Sequence, residues 1–357
     1  MRRRVLVGAA ALALVLAAIV AFRPTASEPT DHRGVTPSAL ADCTRFAAPD
    51  GDDAAAGTES APFRTVSRLL STLSAGETGC LRAGLFAERV TVRDGGSPGS
   101  PIVLAAAPGE SATLQGRLVI DDSANDVVVT GLRLDGRNED ARPSPTVNGD
   151  RVTFFRNEVT NENTAICFVL GSTAGYGTAV DVVLSENRIF RCGRLPATNR
   201  DHGIYVESSR NARIVDNVIF DNVDRGVQLY PDAQDTVVER NVIVGNGQGV
   251  IFSGAAGLAS SGNRVIGNLI GDSRLRWNVE SYWPEEPGTK NVVERNCLWN
   301  GRDGDISEQI GFTASSNRFA TLLFVDRERG DFRQRPESPC LSAGPAAGTA
   351  ALPAPAP

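Results

Sequence analysis

Residues 201–254 repeat themselves: Gly203-Ile-Tyr-Val, Gly226-Val-Gln-Leu and Gly249-Val-Ile-Phe follow one another at a spacing of 23 residues. The first two are each followed by a polar turn and a second apolar unit, closing at Asn217 and Asn241. An apolar run of strand length cannot bury its own face. Recurring at a fixed period, such runs bury one another by stacking, which makes a solenoid.

A second frame, apolar-x-x-Asn-x-apolar, runs alongside. It reads Phe154/Asn157/Val159, Leu184/Asn187/Ile189, Ile214/Asn217/Ile219, Val238/Asn241/Ile243, Val265/Asn268/Ile270 and Val293/Asn296/Leu298, at intervals of 30, 30, 24, 27 and 28. Unequal intervals fit a constant core interrupted by loops of different length. Asparagine suits a sharp bend between strands, because it tolerates left-handed backbone and can bond its own main chain. Stacked coil on coil, the amides can also bond one another.

Earlier in the chain, short strands are expected at Glu88-Arg-Val-Thr-Val, Ile102-Val-Leu-Ala, Leu118-Val-Ile and Val127-Val-Val-Thr. Before them, Val66, Leu69, Leu70 and Leu73 fall at helical spacing, which predicts an amphipathic helix over residues 65–73 with Thr65 as N-cap. Laid over the first coil, it would cover apolar surface and strand edges.

Six cysteines allow fifteen pairings. Coils about 4.8 Å apart lie within disulfide reach of one another. The local solution pairs Cys43 with Cys80, Cys167 with Cys192 and Cys297 with Cys340, stapling both ends and one long loop. Disulfides require an oxidising compartment, and the N-terminus agrees. Met1-Arg-Arg-Arg precedes an unbroken apolar run over residues 5–22, readable as a signal peptide or as an uncleaved anchor with the body outside. Residues 23–42 read as a tether, and the Ala/Pro stretch 345–357 as a disordered tail. A net charge of −6 argues against a nucleic-acid partner. Membrane contact is expected only through the N-terminal segment, and a monomer is expected.

The ladders and the Gly-led strands look like right-handed parallel β-helices of the pectate-lyase-like superfamily. Pro49-Asp-Gly-Asp-Asp, Gly57-Thr-Glu-Ser-Ala-Pro-Phe-Arg-Thr and Cys80-Leu-Arg-Ala-Gly resemble the leader of exported bacterial members; Gly330-Asp-Phe-Arg and Ser338-Pro-Cys resemble their last strand and cap. The resemblance spans residues 43–344, with an N-terminal cap at 43–84 and a C-terminal cap at 330–344. It implies an all-β, single-stranded right-handed parallel β-helix with a short N-terminal capping α-helix. It leaves the reaction open, since one fold hosts many sites.

In the resembling enzymes the substrate groove runs along the outside of one sheet, here assigned to the Gly-led strands. Strand alternation puts Ile204 and Val206 inside, and Tyr205 and Glu207 outside. Gln228 and Tyr230, then Ile251 and Ser253, then Glu280 and Tyr282 extend the row, with Trp283 nearby. Asp201-His202 resembles the acid-plus-histidine motif of alginate epimerases, without its intervening proline. The catalytic candidates are therefore Asp201, His202, Tyr205 and Arg225: His202 to move a proton, Asp201 to orient it, and Arg225 to neutralise a uronate carboxylate. The substrate-binding candidates are Glu207, Gln228, Tyr230, Glu280, Tyr282 and Trp283. The partner expected is a polysaccharide, met by a lyase or C5-epimerase, by a non-catalytic glycan-binding or structural β-helix, or by a glycoside hydrolase using paired carboxylates such as Glu207 with Asp224 or Glu280. Lys290, the single lysine, falls on a turn away from this face. No acid cluster has calcium-loop spacing, so no cofactor is expected, calcium being the one candidate.

Overall fold

The computed structural model describes residues 42–255 and 257–345. The apolar leader, all of the tether but Asp42, and the tail beyond Pro345 lie outside the described residues. The described chain winds as a right-handed parallel β-solenoid whose coils build three long sheets of 11, 10 and 10 strands. Sheet 1 contains Val183–Ser185, Arg213–Val215 and Val237–Glu239; sheet 2 contains Arg188–Phe190, Val218–Phe220 and Val242–Val244; sheet 3 contains His202–Arg210, Arg225–Gln234 and Gln248–Ala255. Each coil contributes one strand to each sheet in turn, and inward residues from all three form one continuous apolar core.

The corner between sheets 1 and 2 is the predicted asparagine ladder. Nδ2 of Asn157, Asn187, Asn217, Asn241 and Asn268 each donates to Oδ1 of the next rung, at 2.9–3.1 Å. Asn296 bonds on to Asn317, a seventh rung that the six-member frame leaves out. The same Oδ1 atoms also accept the backbone N–H of the rung before, so each amide serves both the side chain and the main chain of its neighbour. The asparagine backbone does not make the bend expected of it. Left-handed geometry falls on the residue before it, Arg156, Glu186, Asp216, Arg240, Gly267, Arg295 and Ser316, with φ between 53° and 64°. The asparagine is needed for its buried amide. Shorter ladders close the other corners, Asn222 to Asn246 and Asn263 to Asn291.

These ladders also account for the recurring glycines. A Cβ on Gly203 would lie 2.9 Å from the Asn222 amide nitrogen, and one on Gly226 would lie 2.6 Å from an Ile243 methyl. Below about 3 Å something must shift, so sheet 3 leaves the corner turn without a side chain where it passes.

At the N-terminal end the expected capping α-helix is not borne out: of residues 65–73 only Val66–Leu70 is helical, little more than one turn. Thr65 is its N-cap and accepts from Arg68 N–H. The Glu88 carboxylate takes the free N–H groups of Val66 and Ser67. Val66, Leu69 and Leu70 are buried against the first strands, so what remains is a single turn pinned to the first coils.

At the C-terminal end the cap expected at 330–344 does not sit over the last coil. The chain turns back as an antiparallel hairpin, Phe324–Asp326 with Asp331–Gln334. Phe324, Phe332, Cys340 and Ala343 pack with Val218, Val242, Leu269 and Cys297 on the outer face of sheet 2. The three expected disulfides are present, with Cα separations of 5.6 Å (Cys43–Cys80), 5.5 Å (Cys167–Cys192) and 5.7 Å (Cys297–Cys340). The third fastens the returning segment to the flank.

Asn217→Ala removes a mid-ladder rung and leaves buried donors and acceptors on both neighbours unpaired, each costing about 1–3 kcal/mol. Asn317→Ala, at the last rung, should cost less. Denaturant unfolding of the two variants checks the order, and equal losses would show that the ladder does not carry the corner.

Candidate functional site

Sheet 3 alternates. Val90, Leu118, Val147, Phe168, Ile204, Val227, Val250 and Val279 are buried in the core. Beside them, one row in strict register turns away from it: Thr91, Val119, Thr146, Val169, Tyr205, Gln228, Ile251 and Glu280. The row has two halves. From Thr91 to Tyr205 it floors an open cleft of about 650 Å³; from Gln228 to Glu280 it is buried.

Loops wall the cleft. On one side residues 171–176 carry Tyr176, which is 69% exposed. This loop is tied down by Glu207, which accepts from Thr173 N–H at 2.9 Å and from its hydroxyl at 2.7 Å. Glu207, expected to bind substrate, lines the cleft and at the same time anchors its wall. On the other side stand Asp140, Arg142 and Pro143. The rims differ in charge. Arg89 and Arg117 come just before their strands, whereas Asp121 and Asp122 come just after one.

The catalytic candidates gather at the Tyr205 end. The His202 and Tyr205 rings meet edge to face at 5.7 Å, and the Tyr205 and Tyr230 rings are stacked at 6.2 Å. His202 pairs in register with Arg225 on the next coil. His202 is buried, and its Nδ1 has no hydrogen-bond partner. Burial holds the imidazole well below its ordinary range, and the Arg225 guanidinium pushes the same way. Burial likewise raises the Tyr205 phenol, keeping it protonated.

Two assigned roles change. Asp201 turns its carboxylate to Arg194 Nε (3.1 Å) and Thr198 (3.3 Å), so its carboxylate does not orient His202. Arg225 is buried, and its donors go to Gln248 (2.8 Å), to the Asn199 carbonyl (2.8 Å) and amide oxygen (2.6 Å), and to Gln228 (3.3 Å). Its pKa falls to about 10, chiefly through burial.

The far candidates stay apart from the cleft. Glu280 is buried in a pair with Arg276 at 2.9 Å. Tyr282 is exposed, and Trp283 donates to the Ile310 carbonyl at 2.8 Å, packing toward the last coil. Ile251 and Ser253 face outward as expected, yet both are covered. The carboxylates considered as a glycosidase pair are each engaged locally, Asp224 by the N–H groups of Arg200 and Asp201. Among the described residues, no group of three or more His, Cys, Asp and Glu side chains is placed to hold a metal ion.

Arg89, Arg117, Arg142 and Tyr176 were missed. Arg89-Val90 and Arg117-Leu118 occupy equivalent places on neighbouring coils, a register that Glu88-Arg-Val-Thr-Val and Arg117-Leu-Val-Ile carry in the sequence. Tyr176 has no periodic signal, because it belongs to a loop.

Residues 146–272 match a family model described as right handed beta helix region. No curated protein sequence matches the chain. Among solved structures, pectate lyase Pel9A superposes with a TM-score of 0.59 at 15% identity, covering 84% of this chain and 91% of that one. A complex of XylC with xylose gives 0.55 at 13% identity, covering 78% and 70%. The lacto-N-biosidase of Eubacterium ramulus gives 0.56 at 13% identity, covering 76% and 59%. At such identities the likeness is one of fold.

Unfolding lets His202 take up a proton that the folded chain refuses, so stability should fall as pH drops below the ordinary histidine value of 6.5. The slope approaches about 1.4 kcal/mol per pH unit. Chemical unfolding of wild type and His202→Gln between about pH 7 and 5 should show a gap that narrows on acidification; a constant gap refutes the buried neutral imidazole.

Proposed function

We propose that this right-handed parallel β-helix is an exported protein that holds an acidic polysaccharide along sheet 3 and acts on it as a lyase or C5-epimerase. One observation carries the reading: an open cleft on that sheet joins a flat floor, an arginine rim and two tyrosines. Small floor residues let a sugar chain lie close, the rings of Tyr176 and Tyr205 offer faces to its CH groups, and the arginines suit its carboxylates. Pectate lyase Pel9A shares the fold over most of both chains, which supports the class without fixing the reaction. Three disulfides and the apolar N-terminal run support export, as a secreted or membrane-anchored chain.

In an elimination the C5 proton leaves to a base, the C4–O bond breaks, a C4=C5 double bond forms and the departing oxygen takes a proton. Tyr205 is the catalytic candidate that lines the cleft, and its protonated phenol is the donor. The neutral imidazole of His202, with Nδ1 unpartnered, is buried beside Tyr205 outside the cleft lining, so as the acceptor it requires a movement of the covering chain that bares Nδ1 to the sugar. Arg225 then serves as a positioning residue, holding residue 199 over the His202 end of the site. Epimerisation would share the proton abstraction and return a proton to the opposite face.

A non-catalytic glycan-binding protein is the second reading, favoured by the burial of His202 and the full commitment of Arg225. Incubation with pectate, alginate and glycosaminoglycans separates the two. Ultraviolet-absorbing unsaturated product, or inversion at C5 read by NMR, supports the enzyme; Tyr205→Phe should then lower kcat by about 10²–10⁴, the usual worth of a general acid. Binding without turnover on any of them supports the second reading.

A further inference from the structure

Arg89, Arg117 and Arg142 belong to one rim of the cleft, and none of them forms a salt bridge among the described residues. Elsewhere arginines such as Arg151 and Arg240 pair with an acid of a neighbouring coil. Arg117 is the central member. Its residue is half-buried, and its Nε is buried without a hydrogen-bond partner. The backbone places Arg89 on the coil before it: Val90 N–H donates to the Arg117 carbonyl at 2.9 Å, and Val90 lies in register with Leu118. Arg142 comes from the loop that enters the following strand, Thr146–Val147.

Like charges brought together repel, and burial adds to the cost. Burial is the larger of the two in holding the Arg117 guanidinium below its ordinary range, and the charges of Arg89 and Arg142 push the same way. Asp140 offsets this only through space. The other acids of the cleft, Asp121, Asp122 and Glu207, sit at the opposite ends of the strands, and Glu207 is already bonded to Thr173. An arrangement with unspent positive charge and an unfilled buried donor is completed by an anion. A guanidinium offers paired N–H donors that match a carboxylate in its plane.

Building on the glycan reading above, we propose that Arg117, flanked by Arg89 and Arg142, is the subsite that receives a sugar carboxylate, in the place assigned from sequence to Arg225. The charged group enters at the arginine rim, while the ring rests on the Thr146 and Val169 floor under Tyr176. This geometry selects uronate-bearing chains over neutral ones. Because Arg225 is committed to Asn199, Gln228 and Gln248, its replacement alters the fold around His202 rather than the charge of the cleft.

Calorimetry with a galacturonate trimer and with its uncharged methyl ester tests the subsite on the full chain. Wild type should bind the acid at least about tenfold tighter, an advantage expected of a charge-assisted pair at a partly buried site. Arg117→Gln should lose that advantage and keep its affinity for the ester; Arg117→Lys should recover it in part. Equal binding of acid and ester by wild type would overturn the subsite and leave the glycan reading standing. If neither sugar binds, the galacturonate form of the glycan reading fails, and the subsite is judged by citrate, a carboxylate probe without a sugar. Citrate should raise the melting temperature of wild type and not of Arg117→Gln. A shift equal in both proteins, or absent from both, overturns the subsite.

Discussion

A buried amide that bonds its copy one coil away is the interaction on which this solenoid rests. Each corner must turn the backbone sharply between two sheets, and that leaves polar main-chain groups inside. The Asn157-to-Asn317 ladder meets that demand: every Oδ1 from Asn187 onward takes one side-chain and one main-chain donor from the rung before it. The left-handed residue before each asparagine makes the bend, and the glycines of sheet 3 leave room for the other corners. Stacking, corner and core thus specify one another.

Sheet 3 differs from its companions because its connections are long. The tight corner between sheets 1 and 2 leaves no room for insertions. The approach to sheet 3 carries residues 136–145 and 191–201, and loop 171–178 follows one of its strands. These segments make the cleft, cover His202 and carry Tyr176. The rigid part of the molecule supplies a flat floor in strict register, and the loops supply chemistry, a division common to repeat scaffolds.

What the sequence discloses follows from that division. The asparagine frame and the pairs Cys43–Cys80 and Cys167–Cys192 were legible because stacking makes them periodic or brings them within about one coil, and Cys297–Cys340 followed as the pair left near the C-terminal end. The inward and outward sides of sheet 3 were legible by alternation. The burial of Arg225 and Glu280 was not, since it depends on Asn199 and on Arg276, which come from irregular chain. The cleft was missed for a related reason: its floor of Thr91, Val119, Thr146 and Val169 has no distinctive chemistry until loops enclose it. Phe324 and Phe332 announce an apolar contact, but the same residues would serve a lid on the tip or a cover on the flank.

That cover has its own consequence. Gly344 N–H bonds to the Gly267 carbonyl at 2.7 Å, so the described chain finishes beside the coil of Asn268, with the turns of Asn296 and Asn317 still beyond it. The last described stretch is therefore a strap, not a stopper. Cleavage within the hairpin and reduction of Cys297–Cys340 would together peel an apolar stripe bare along the side of the rod, while leaving its length and its stacked corners as they were.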